Sequence, residues 1–223
     1  MGRRKTVQLE LRVRSWGGRR EGAGRPRTTR WVTHGRRPDF PKRFPQHITW
    51  RLRDELGNVR TEDCFAEVQR AFLKGHDRFG MRLVEFSIQH NHIHLVVEAE
   101  HRRSLTRGLQ GLAVRVARAI NRALGRKGKV FADRYHSRIL SSPTQVRNAV
   151  EYVRHNFKKH QAKAGRWTHP FYIDPYSSMS GQACCYMINY DWGVPVVAAP
   201  ATWMLRHVLN TAPISPRAPV PVH

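Results

Sequence analysis

Cysteine is scarce in this 223-residue chain: Cys64, Cys184 and Cys185 make an odd three with no C-x-x-C spacing. That argues against both a disulfide framework and a zinc ribbon, and a reducing, cytoplasmic compartment is the simplest reading. Long apolar runs are missing too. No window approaches the roughly 20 consecutive apolar residues of a membrane-spanning helix, so no membrane partner is expected. The start, Met1-Gly-Arg-Arg-Lys5, is basic, but no apolar stretch follows it, so a secretory leader is not expected. Acid is in short supply: 16 Asp+Glu stand against 40 Lys+Arg, a formal net charge of +24. An excess of that size drives association with phosphate backbones through counterion release, which makes nucleic acid the expected partner. With 40% hydrophobic residues there is still enough apolar material for a core, so wholesale disorder is not expected.

Three segments follow from composition. Residues 1–43 hold 14 Lys/Arg, three acidic residues and six glycines, a basic arm that can bury little. Within it, Gly22-Ala-Gly-Arg25-Pro26-Arg27 has the Gly-Arg-Pro core of a minor-groove hook, so Arg25 and Arg27 either enter a groove or bind phosphates without specificity. Residues 44–165 read as the folded domain. Residues 166–223, rich in Pro, Trp and Tyr with poor periodicity, read as an irregular tail packing partly on it.

Inside the domain, His47 to Arg53 alternates strictly, with Ile48, Trp50 and Leu52 on one face: a half-buried strand. Thr61, followed by Glu62 and Asp63, is a helix N-cap ahead of the stripe Phe65, Val68, Phe72. Leu83–Ile88 and His92–Glu98 form an antiparallel hairpin, with Val84, Phe86 and Ile88 sharing one face and Ile93, Leu95 and Val97 another. Residues 104–124 are helical, with a basic outer stripe of Arg115, Arg118, Arg122 and Arg126 that, at this net charge, reads as a phosphate track for nucleic acid rather than a merely solvated face. Val130 to Leu140 reads as a fourth strand, and Pro143 opens a last helix to about His160. The order β-α-β-β-α-β-α is an α+β, ferredoxin-like arrangement: an antiparallel sheet with helices on its apolar face.

His92-Ile93-His94 is the sharpest chemical feature. On a strand the two imidazoles point the same way, so they can converge on one metal ion, or they are simply two surface histidines. Alternation puts them on the face away from the helices. On the last helix Val146, Ala149, Val150, Val153 and Phe157 form the core stripe, and Tyr152 and Asn156 stand one turn apart beside it. Two imidazoles and an amide oxygen leave a divalent ion open positions for a phosphate oxygen. A tyrosine beside it can attack that phosphate, conserving the bond energy in a phosphotyrosine. Tyr135 shares the apolar face with Ile139 and reads as core. Arg134, His136 and Arg138 share the polar face, where they clamp DNA or are solvated.

These residues resemble a known family. Asn91-His92-Ile-His94-Leu, Phe131-Ala-Asp-Arg-Tyr-His136 and Val150-Glu-Tyr152-Val-Arg-His-Asn156 are similar, in order and spacing, to the HUH single-tyrosine nucleases, specifically the IS200-like transposases and their REP-associated relatives. The resemblance covers about residues 44–160; Asp174–Ser178 and Pro200–Arg206 also look like the tails of REP-associated members. It implies an HUH endonuclease fold with His92, His94 and Asn156 as ligands of Mg²⁺ or Mn²⁺ and Tyr152 as nucleophile. The implied activity is cleavage and rejoining of single-stranded or hairpin DNA through a 5′-phosphotyrosine. The implied setting is a cytoplasmic, nucleoid-associated prokaryotic protein, with a homodimer as one arrangement the family uses. Gln89-His90 and Asn156-Phe157 depart from the common family pattern without removing a ligand or the tyrosine.

Overall fold

The computed structural model describes residues 37–169, 172–180 and 196–211. Five strands, β1 (Gln46–Arg51), β2 (Asp77–Arg78), β3 (Met81–Ile88), β4 (His92–Ala99) and β5 (His136–Ile139), form one sheet in the order β2-β3-β4-β1-β5. Every pairing is antiparallel. Among the described residues four α-helices accompany it: α1 (Glu62–Leu73), α2 (Arg102–Ala123), α3 (Pro143–Lys163) and α4 (Trp203–Thr211). Among the described residues no helix is long and apolar enough to cross a membrane. The α+β class and antiparallel sheet are those expected.

Local chemistry sets the helix starts. Thr61 accepts a hydrogen bond from the Cys64 N–H at the head of α1, and Ser142 does the same for Gln145 at α3, where Pro143 fills the first position. At α2 the cap is the His101 ring, whose Nδ1 accepts from the Ser104 N–H at 3.0 Å. Gly108 of α2 lies against Met81 of β3, where a Cβ would stand 2.5 Å from the Met81 Cβ, so a glycine is what lets this helix sit so close to the sheet.

The helices occupy both faces of the sheet, which corrects the expectation of one covered face. Ile48, Trp50, Leu83, Phe86, Ile93, Leu95 and Val97 pack with Phe65, Phe72, Leu105, Leu109 and Val116 of α1 and α2. A second, smaller core joins Val84 and Val96 to Val146, Val150 and Val153 of α3 and Met204, Leu205 and Val208 of α4. With so few apolar residues on that second face, alternation alone reads it as solvent-facing. A β-bulge between Leu83 and Glu85 explains the other difference: the register runs Leu83↔Val97, then Glu85↔Val96, so Val84 leaves the face of Phe86 and Ile88 and joins the second core. The expected strand over 130–140 is also interrupted. Phe131 bridges Leu52, the chain bulges, and pairing with β1 resumes only at His136.

The C-terminal segment is not wholly irregular. Besides α4, residues 172–180, which precede it, lie along β3, where the Ile88 N–H donates to Tyr176 O and the Ser178 N–H to Phe86 O. The Ala198 N–H donates to Leu83 O farther along. Three buried carboxylates hold these pieces. Asp174 takes a two-pronged ion pair from Arg60, at 2.7 and 3.1 Å. Glu85 is shared between Arg154 of α3 and the Ser178 hydroxyl, and Glu98 accepts from the Ala201 and Thr202 N–H groups at the head of α4. Residues 37–43, assigned to the arm by composition, also touch this domain: Arg37 donates to Tyr135 O and stacks on its ring, and Arg102 pairs with Asp39. Tyr135 itself packs against the first core, as expected. Breaking a buried pair from one side strands its partner's charge, so Asp174→Ala should lower stability by about 3 kcal/mol in denaturant titration. A loss under about 1 kcal/mol, the value of an exposed pair, would contradict the burial argument.

Candidate active site

β1 and β4 pair with Thr49 opposite His94 and Arg51 opposite His92. Their inner faces feed the first core, so alternation sends His47, Thr49, His92 and His94 to the other side, beneath α3. There the rings of His92 and His94 stack, centroids 6.1 Å apart and planes within 15°. Tyr152 comes down from α3 edge-on to His94, 5.2 Å away at 87°. Tyrosine and histidines thus meet within a single chain.

Each histidine is oriented through one nitrogen. His92 Nδ1 donates to the Asn91 side-chain oxygen at 2.6 Å, and His94 Nδ1 lies 3.2 Å from the Thr49 hydroxyl. Both Nε2 atoms are thereby left as ligand donors, the usual division of labour in a metal-binding imidazole. Burial, reinforced by His47 and His92, pushes His94 down to about 3. His92 is also lowered, by burial first and then by Arg51. Neutral imidazoles are the ligating form.

Asn156 is one turn beyond Tyr152 and only 1% exposed, with its amide nitrogen buried and, among the described residues, unpaired. It, rather than Phe157, continues the buried stripe of α3; Phe157 turns aside to lie under the Arg60 guanidinium, 4.2 Å away. A buried amide with spare capacity suits a ligand to an ion or a phosphate. Among the described residues no three His, Cys, Asp or Glu side chains could hold a metal together, so a site here needs a third donor of another type.

Residues 42–156 match the family model described as "Transposase IS200 like". The chain belongs to that family. Members are transposases, DNA-processing enzymes, and the match spans β1 through the Tyr152–Asn156 turn of α3. Among solved structures, a REP-associated tyrosine transposase bound to a REP hairpin is similar at a TM-score of 0.51 and 14% identity, covering 76% of this chain and 93% of that one. That likeness shows the fold. A candidate transposase from Deinococcus radiodurans R1 aligns at a TM-score of 0.37 and 12% identity, over 61% of this chain and 98% of that one. No curated protein matches the chain.

The basic residues of this IS200-like transposase divide between two surfaces. Arg115, Arg118 and Arg122 lie on α2, across the sheet from Tyr152. Arg118 is exposed, but Arg115 donates to Gly111 O and Arg122 to Glu67, so two of the three have intramolecular partners. Arg138, exposed on β5, pairs in register with His47 on the tyrosine side. Arg134 is exposed in the bulge before β5. Arg25 and Arg27 lie outside the described residues. Sequence reasoning missed two groups against the tyrosine, His47 and Lys159, whose ammonium sits 5.1 Å over the Tyr152 ring, and two beside the histidines, Thr49 and Arg51. The alternation of β1 already put His47, Thr49 and Arg51 on one polar face; what one sequence did not reveal was that β1 pairs with β4.

His94 has an ordinary value of 6.5 and a folded value of about 3. The unfolded chain therefore takes up a proton on this ring as the pH falls below 6.5, and the folded chain does not until pH 3. Stability contributed above pH 6.5 is lost on the way down, by about 2 kcal/mol at pH 5. Melting in chelator from pH 7.5 to 5 should show this decline together with that of His47, which burial holds at about 4, and His94→Asn should lessen it by the His94 share. An equal decline in the variant would place the proton elsewhere.

Proposed function

We propose that this transposase cleaves and rejoins single-stranded DNA at hairpin, REP-like sequences, with Tyr152 attacking the phosphodiester to form a 5′-phosphotyrosine and release a 3′-hydroxyl. One observation carries the reading: in a family of DNA-processing enzymes, a tyrosine stands edge-on at 5.2 Å from a buried histidine whose neighbour two residues away stacks on it. Catalysing nothing, a DNA-binding protein would have no use for that grouping. A net charge of +24 supports the DNA partner, and the REP hairpin held by the structural relative supports the hairpin form.

His92 and His94, through Nε2, and Asn156, through its amide oxygen, are the residues that would hold Mg²⁺ or Mn²⁺. Bound there, the ion supplies Lewis-acid polarisation of the scissile phosphate. The chain does the rest. Tyr152 is set by its ring contacts against His94, and Lys159 over the phenol favours the negative charge its oxygen carries as its proton leaves for attack, a proton being returned to the departing 3′-oxygen. Arg51 and Arg138 border the same face and offer contacts to the phosphates on either side of the break. The phosphotyrosine keeps the energy of the broken bond, so a returning 3′-hydroxyl reverses the step and rejoins the strand.

The experiment is a panel of hairpin oligonucleotides with Mg²⁺ or Mn²⁺, resolved on denaturing gels. Wild type should give an SDS-resistant protein–DNA adduct that chelator abolishes. Tyr152→Phe should lose the adduct while binding the hairpin as before, and His92→Ala should lose at least about a hundredfold in rate. Cleavage persisting in Tyr152→Phe would mean hydrolysis without a covalent step. Tight binding with no adduct in any protein would make this a DNA-binding member that has lost its chemistry.

A further inference from the structure

A third imidazole adjoins the tyrosine. His47, on β1, stacks on His94 with centroids 5.4 Å apart, and Tyr152 stands against it at 5.7 Å and 68°. His92, His94 and His47 thus form a ladder of three rings across two strands, and the phenol stands edge-on to the last two. His47 Nε2 is shut off from solvent and has no hydrogen-bond partner among the described residues. A buried, unpaired ring nitrogen costs about 1–3 kcal/mol, and a phenyl ring would fill the same space without that cost. Packing therefore accounts for a ring at position 47 but not for its nitrogen. Convergence of His47 with the other two histidines on one ion is not the answer, because no such trio exists among the described residues.

We infer that His47 is a positioning residue for Tyr152: its ring sets the angle of the phenol against His94, and its Nε2 is the hydrogen-bond partner that the phenol oxygen takes up when DNA is in place. The inference rests on Tyr152 being the nucleophile. It explains both the location of the ring and the unused nitrogen. A nucleophile free to swing about its side-chain bonds spends little time in line with a phosphate, and a misplacement of about 1 Å can cost a hundredfold in rate. Fixing the oxygen as well as the ring removes that freedom. The buried amide nitrogen of Asn156, one turn beyond Tyr152, is a second buried polar atom without a hydrogen-bond partner among the described residues, so the polar groups of this region have hydrogen-bonding capacity to spare.

The test uses the full chain, a cleavable hairpin oligonucleotide and Mn²⁺. His47→Phe keeps a ring and removes the nitrogen. It should slow single-turnover adduct formation about tenfold to a hundredfold, with hairpin affinity and Mn²⁺ affinity unchanged and a melting temperature no lower than wild type. His47→Gln, whose amide can reach a similar point, should recover part of the rate. Should the phenylalanine variant melt early, His47→Asn, which cannot overfill the site, takes its place in the comparison. A wild-type rate in His47→Phe would reduce the residue to packing and overturn the inference. So would a loss of Mn²⁺ affinity, which would make His47 a ligand. Failure of the wild-type protein to form any adduct would instead remove the nucleophile reading itself, and the inference with it.

Discussion

The register between β1 and β4 decides which side chains become core and which become chemistry. With Ile48 opposite Leu95 and Thr49 opposite His94, one face of the pair receives Ile48, Trp50, Ile93 and Leu95, all nearly inaccessible to solvent. Each such side chain contributes about 1.5–3 kcal/mol when buried, and a slip of one residue would turn all of them outward. The apolar face therefore enforces the polar one. Because Thr49 reaches His94 across the strands, the same register also determines which imidazole nitrogen is engaged and which is left over.

Holding α3 over that face is a separate problem, solved with charge. The β-bulge in β3 brings Glu85 to the second face, where it meets Arg154, midway along the helix between Tyr152 and Asn156. Ser178 takes up the other carboxylate oxygen, so the segment after α3 shares the anchor. Arg60 repeats the pattern: it pairs with Asp174 while its guanidinium lies over Phe157 and Tyr176. The apolar part of this layer is modest, and buried ionic contacts of defined geometry supply orientation that a few valines do not.

Much of this was legible in the residues. Strict alternation placed β1, β3 and β4, capping chemistry placed the starts of α1 and α3, and the His-x-His pair with Tyr152 and Asn156 on one helix marked the site through its family resemblance. What stayed hidden depended on contacts distant in the chain. The second core takes only Val84 and Val96 from the strands, too few for periodicity to reveal, so α3 was expected on the wrong face. α4 buries Met204, Leu205 and Val208 within nine residues, too short a pattern to stand out from a proline-rich stretch. His47 was visible as a polar residue on a strand, yet its neighbours His94 and Tyr152 lie 47 and 105 positions further along, and only the fold brings them together.

The outer edge of β3 is covered along much of its length: β2 pairs at Met81 and Arg82, Ala198 at Leu83, Ser178 at Phe86 and Tyr176 at Ile88. An open strand edge is a template on which another strand can add. Here those backbone groups are already occupied by the chain's own later segments, so the sheet cannot be extended on that side by a neighbouring molecule without first peeling them away. A molecule whose later segments occupy its own sheet edge is thus kept from zipping onto other copies there.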